Sequence, residues 1–115
     1  GDMFGIDRDT SMVGERVPVI TLKQIVEKYG ITNGYLKIDA EGYEYEIIQS
    51  ASHDTLRKFS DVFLEYHYGF EGIVPYLERA GFAVTHTRPR YHYMPQYENA
   101  AARMMFVGYI FAKRK

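Results

Sequence analysis

The sequence predicts one α/β domain on a mostly parallel sheet, and three observations carry that prediction. Strand-length apolar runs at 35–39, 61–67, 82–87 and 104–112 are separated, as far as residue 82, by stretches with helical period. Each helical stretch has the length of a βαβ crossover, which makes the strands it joins parallel and the crossover right-handed. The last two runs have no helix between them, so they are expected to close the sheet as an antiparallel hairpin at one edge.

The elements follow in order. "GDMFGIDRDTSMVGER" (1–16) holds three glycines, three aspartates and no period, and reads as a loop or flexible arm, leaving 17–115 as the folded part. "VPVI" (17–20) reads as a short strand at an edge or strand start, because Pro18 removes a ladder donor. Thr21 and Gln24 form a capping-box pattern ahead of a helix whose face is Leu22, Ile25, Val26 and Tyr29, and Gly30 stops it. After the turn 32–34 comes the strand 35–39. Tyr43, Ile47, Ile48 and Ala51 give the next helix, over 43–51, and a second short piece over 54–59 carries Leu56 and Phe59.

"DVFLEYH" (61–67) is a strand. Pro75 suits the first turn of a helix over 71–80 with Ile73, Val74, Leu77 and Ala80 on one face, closed by Gly81. "FAVTHT" and "MMFVGYIFA" are the last two strands. The two central strands read as apolar on both faces, as strands covered by helices on either side must be.

With 46% hydrophobic and 16% aromatic residues, the 115 residues can bury one core. A net charge of −1 gives no general pull towards nucleic acid, and the Lys113-Arg114-Lys115 tail reads as solvated. The absence of cysteine excludes disulfides and thiolate metal sites, and no apolar run approaches the ~20 residues of a membrane span. A cytoplasmic protein without nucleic-acid or membrane partners is the expectation.

Ligands of open parallel sheets sit outside the carboxyl ends of the strands. Asp39 ends one strand, and Glu65, Tyr66 and His67 end the next, so Asp39 and Glu65 are expected to share one crevice with Gly42 at the turn. Lys37, inside an apolar strand, either pairs with a strand acid or orients a substrate. His67 is either a satisfied histidine at the rim or an acid/base group. Glu41 and Glu44 read equally as caps of the following helix. Asp39, Glu65 and His67 could also hold a divalent cation, but no spacing fixes one, and no metal is expected. The loop 88–103 is long for a hairpin connection, and Arg88, Arg90, Tyr91, His92, Tyr93 and Tyr97 within it suit a substrate-facing lid.

Over 17–87 the chain resembles the carboxyl-terminal half of FkbM-family methyltransferases. The resemblance rests on Thr21-Leu22, on Lys37-Ile38-Asp39 with Glu41-Gly42 and Glu44 (the KIDxEGxE element), on Glu65 with His67, and on Leu77 with Gly81-Phe82. Lys23 stands where the family usually has an acid. The resemblance implies a Rossmann-like fold of the class I methyltransferase type, with S-adenosylmethionine as cofactor and a hydroxyl of a small molecule or glycan as methyl acceptor. It implies Asp39 and Glu41 on the cofactor side and Lys37, Asp39, Glu65 and His67 as catalytic groups; Arg88, Arg90, Tyr91 and Tyr93, beyond the stretch that carries the resemblance, are expected from the loop itself to bind the acceptor. No glycine-rich turn follows a strand, so the first half of the usual fold is expected to be missing. The edge of strand 35–39 would then be open to self-association. A non-catalytic α/β binding or assembly module is the alternative function, and a metal-dependent hydrolase a third.

Overall fold

The computed structural model describes residues 3–7 (as backbone), 21–98 and 104–115. Thr21 Oγ1 accepts from the Gln24 amide at 3.1 Å while Gln24 Oε1 accepts from the Thr21 amide at 2.9 Å. This capping box opens α1 (Leu22–Tyr29), and Gly30, left-handed at φ 61°, closes it with its amide on the Val26 carbonyl. Strand β2 (Gly34–Asp39) leads through a tight turn to α2 (Glu44–Ser50) and α3 (His53–Leu56), the latter capped by Ser52. Strand β3 (Phe59–Tyr66), α4 (Val74–Arg79), β4 (Phe82–His86), β5 (Arg90–Tyr93) and β6 (Met104–Arg114) complete the run after β1 (Met3–Asp7).

Several elements differ from the sequence reading. Met3–Asp7, read there as part of a loop or arm, is a strand paired parallel with β2 from Met3↔Tyr35 to Asp7↔Asp39. The strand read at 17–20 lies outside the described residues. Phe59 opens β3 rather than closing a helix, because its side chain belongs to the core face of the sheet. The 88–103 segment contains β5, paired antiparallel with β6 from Arg90↔Val107 to Tyr93↔Met104.

The strand order is β1-β2-β3-β6-β4, with β5 on the far end of β6. Pairing is parallel among the first three strands and antiparallel on both sides of β6. The expected terminal hairpin therefore exists as an antiparallel pair, but β6 is inserted between β3 and β4 instead of lying at the edge. Among the described residues the sheet ends at β1 and β4, and the edge of 35–39 expected to be exposed is occupied by β1. Nor is the basic tail merely solvated: β6 runs through Arg114, whose guanidinium donates to the Arg57 carbonyl at 2.5 Å and to Asn33 Oδ1 at 2.6 Å.

All the described crossovers step the same way along the sheet, and right-handed crossovers in one direction put their helices on one face. That face carries Leu36, Ile38, Val62, Leu64, Tyr66, Ile110 and Ala112, which join Leu22, Val26, Ile48, Leu56, Ile73 and Leu77 in one core. Burying a side chain such as Leu64 stabilises by about 1.5–3 kcal/mol.

The opposite face is open among the described residues. Register places its side chains in three rows: Tyr35, Asp61 and Lys113; then Lys37, Phe63 and Phe111; then, at the carboxyl rim, Asp39, Glu65 and Tyr109. Strand β2 thus alternates buried and exposed along its whole length, and the expectation of two apolar faces on the central strands does not hold. Lys37 accordingly faces outward and has no burial cost to offset. Phe63 stacks at 5.7 Å on Tyr109 and packs at 4.8 Å on Phe111, which remain 40% and 47% exposed. No helix among the described residues is long and apolar enough to cross a membrane.

Candidate functional site

The turn after β2 sets up the rim. Its chain reverses through Glu41 at φ 43° and Gly42 at φ 105°, both left-handed. Glycine takes that conformation freely, whereas for Glu41 it costs about 1–2 kcal/mol. The turn delivers Glu44 to the first position of α2, with its carboxylate fully buried. Glu44 Oε1 accepts from the Gly42 amide at 2.7 Å. Glu44 Oε2 accepts from the His67 amide at 3.0 Å and lies 2.9 Å from His67 Nδ1.

His67, just past β3, is itself buried, and its Nε2 lies 3.4 Å from Glu65 Oε1. Burial is the largest single influence on this imidazole and disfavours its charged form. The Glu44 hydrogen bond and the charges of Glu44, Glu65 and Glu41 act in the opposite sense and together prevail, so its pKa is raised above the ordinary value.

Helix α2 also holds the backbone that follows His67. Tyr45 Oη accepts from the Tyr68 amide at 2.7 Å and donates to the Gly69 carbonyl at 2.5 Å. Burial, with the nearby Glu44 charge, pushes the Tyr45 phenol well above its usual range, so it stays neutral and remains a donor. Gln49 Nε2 donates to the Gly72 carbonyl at 2.8 Å. From the other side, the Phe106 amide donates to the His67 carbonyl at 2.8 Å, and the Gly69 amide to the Phe106 carbonyl at 2.9 Å. Among the described residues no buried side-chain polar atom lacks a partner.

Beside this clamp, on the open face, lies a shallow pocket of about 340 Å³ lined by Lys37, Ile38, Asp39, Phe63, Glu65 and Tyr109. It takes in two of the three rows of the open face. Two carboxylates, one ammonium and two aromatic rings suit a small ligand that carries both positive and negative groups. Lys37, Asp39 and Glu65, singled out in the sequence, thus share one pocket, and His67 reaches it through Glu65. Glu41 sits in the turn and does not line the pocket.

Arg88, Arg90, Tyr91 and Tyr93 do not line it either. Thr87, at the end of β4, is pinned by Tyr66 Oη donating to its carbonyl at 2.7 Å and by the Tyr109 amide donating to its Oγ1 at 2.9 Å. Beyond it, β5 and the start of β6 form an arm past the rim. Tyr91 rests edge-on against Phe106 at 5.0 Å yet stays 70% exposed, and Tyr93 stays 62% exposed. Among the described residues, no three of the His, Asp and Glu side chains are grouped so as to hold a metal ion.

The residue that sequence reading undervalued is Glu44, read there as either a cap of the following helix or one of the acids of the rim. A signal was present: Glu44 and Ile48 are four apart on one helix face, and both are fully buried. A carboxylate on the inward stripe of a helix needs partners, and the His67 backbone and ring supply them.

A family model described as the methyltransferase FkbM domain matches residues 3–84, from β1 into β4. No curated protein and no solved structure is matched by the chain. The match covers well over half of the 115 residues, including the KIDxEGxE turn, the Glu44–His67 pair and β2 and β3, two of the three strands that line the pocket; Tyr109 of β6 lies beyond it. The chain belongs to the FkbM methyltransferase family.

Proposed function

We propose that the chain is the carboxyl-terminal part of a Rossmann-like, S-adenosylmethionine-dependent methyltransferase that methylates a hydroxyl oxygen on a small molecule or glycan. The observation that carries this reading is the pocket at the strand ends of a chain of this family. The residues present fit the methionine end of the cofactor. Asp39 and Glu65 complement its sulfonium and ammonium charges, and Lys37 complements its carboxylate. Glu41, in the adjoining turn, is a further candidate for the cofactor side. Among the described residues the helices lie on a single face, which supports the reading of this chain as part of a larger, doubly wound sheet.

When bound, S-adenosylmethionine supplies a methyl group activated by its sulfonium sulfur. The chain's own tasks are to position an acceptor hydroxyl and to take up its proton. His67 and Asp39 are the rim groups proposed to accept that proton, with the Glu65 carboxylate beside them. Phe63 and Tyr109 wall the pocket with apolar surface, which keeps water from one side of it. On the arm, Arg88, Arg90, Tyr91 and Tyr93 offer guanidinium planes and rings on which a sugar or ring-bearing acceptor can stack.

Calorimetric titration with S-adenosylhomocysteine tests the reading, on this chain and on the chain lengthened upstream to its natural start. Binding by at least the lengthened form is expected, weakened about tenfold, or about 1.4 kcal/mol, by Asp39→Asn. Binding by the lengthened form alone supports the division of the fold; no binding by either form overturns the cofactor.

A further inference from the structure

The buried carboxylate of Glu44 makes no capping bond to its own helix and reaches instead to Gly42 and His67. We infer that Glu44 is a positioning residue that fixes His67 as the Nδ1–H tautomer, leaving Nε2, beside Glu65, as the ring atom that accepts a proton. The role assigned to Nε2 rests on the proposed methyl transfer; the tautomer does not.

His67 has four polar atoms. Its amide donates to Glu44 Oε2, its carbonyl accepts from the Phe106 amide, and its Nδ1 lies 2.9 Å from the same Glu44 oxygen. Glu44 Oε1 is already occupied by the Gly42 amide. Every partner of this carboxylate is therefore a donor, and a hydrogen bond to Nδ1 needs the proton on the ring. That leaves Nε2 with its lone pair in the neutral imidazole, 3.4 Å from Oε1 of the pocket-lining Glu65.

The arrangement is rigid for local reasons. Glu44 cannot swing away, because its two oxygens bridge the turn after β2 and the loop after β3. The next residue of α2, Tyr45, ties down Tyr68 and Gly69, and Gln49 ties down Gly72. One helix thus fixes four positions of the segment that carries the imidazole. The charged groups around the ring are Glu44 and Glu65 in contact with it, and Glu41 at longer range. All are acids, so they favour proton uptake at Nε2.

Long-range proton–nitrogen correlation spectra of the His67 ring decide the matter on the whole chain, without an activity assay. The expected result is a protonated-type Nδ1 and a lone-pair-type Nε2 in the neutral form. In Glu44→Gln, whose amide can donate as well as accept, that preference is lost and the titration midpoint moves down. A neutral wild-type ring carrying its proton on Nε2 overturns the inference, as does a folded E44Q protein with unchanged tautomer and midpoint. Should E44Q fail to fold, the wild-type tautomer decides in the same way. Loss of cofactor binding beside an intact Nδ1–H tautomer would sink the methyltransferase reading and leave the positioning of His67 standing.

Discussion

One alternating sequence makes both faces of strands β2, β3 and β6, yet the two faces are fixed by different means. On one, Leu36, Ile38, Leu64 and Ile110 are sealed under helices and held by packing alone. On the other, Lys37, Asp39, Glu65 and Tyr109 stand in water around a shallow pocket, with little beyond the sheet itself to hold them. Between them, at the rim, lies a third condition: Glu44 and His67, polar and buried, held by directed hydrogen bonds. The difference teaches where the chain can change. Packing tolerates no loss of volume, directed bonds tolerate no loss of a partner, and the open face tolerates both.

Substitutions that separate these conditions differ in size. Leu64→Ala, on the covered face, is expected to cost about 3 kcal/mol through lost transfer energy and an unfilled cavity. Urea unfolding measures it, and a cost below about 1 kcal/mol would mean that the helices do not seal this face.

The rim comes second, and its signature is pH. The folded pKa of His67 is raised, so the stability it contributes is fully present below the unfolded value near 6.5 and is lost as pH rises through the folded value. The stability gap between the wild type and His67→Gln should therefore narrow from acid to alkaline solution. A gap that widens with pH would reverse the sign and break the assignment.

The smallest effect belongs to the open face. Phe111→Ala should cost less than about 1 kcal/mol, since the ring is 47% exposed and meets chiefly Phe63. A cost equal to that of Leu64→Ala would show that something covers this face in solution.

The helices were legible because caps are local: Thr21, Gln24 and Gly30 act within a few residues of one another. The strand ends bearing Asp39 and Glu65 were legible for a similar reason, since parallel pairing brings successive strand ends together. Strand β1 was not, because "MFGID" has no alternating pattern and its glycine and the aspartates around it read as loop, so that only its partner β2 makes it a strand. Strand β5 was hidden likewise in "RYHY", all of whose side chains are exposed. The alternation of Tyr35, Lys37 and Asp39 with Leu36 and Ile38 was visible, but the prior for parallel strands suggested cover on both faces. Glu44 was missed because its partner lies 23 positions away, on the next strand's exit.

The insertion of β6 between β3 and β4 has a consequence for how the chain is made. β4 precedes β6 in synthesis yet finds its place in the sheet only against β6, pairing from Phe82↔Arg114 to His86↔Ile110. Until those residues leave the ribosome, α4 and β4 are a helix and a strand with no berth, and Phe82 and Leu77 have no complete core to enter. The domain is closed from its far end, so a chain stopped before β6 forfeits two strands and the arm together. A nascent chain in that interval is the form most in need of a chaperone.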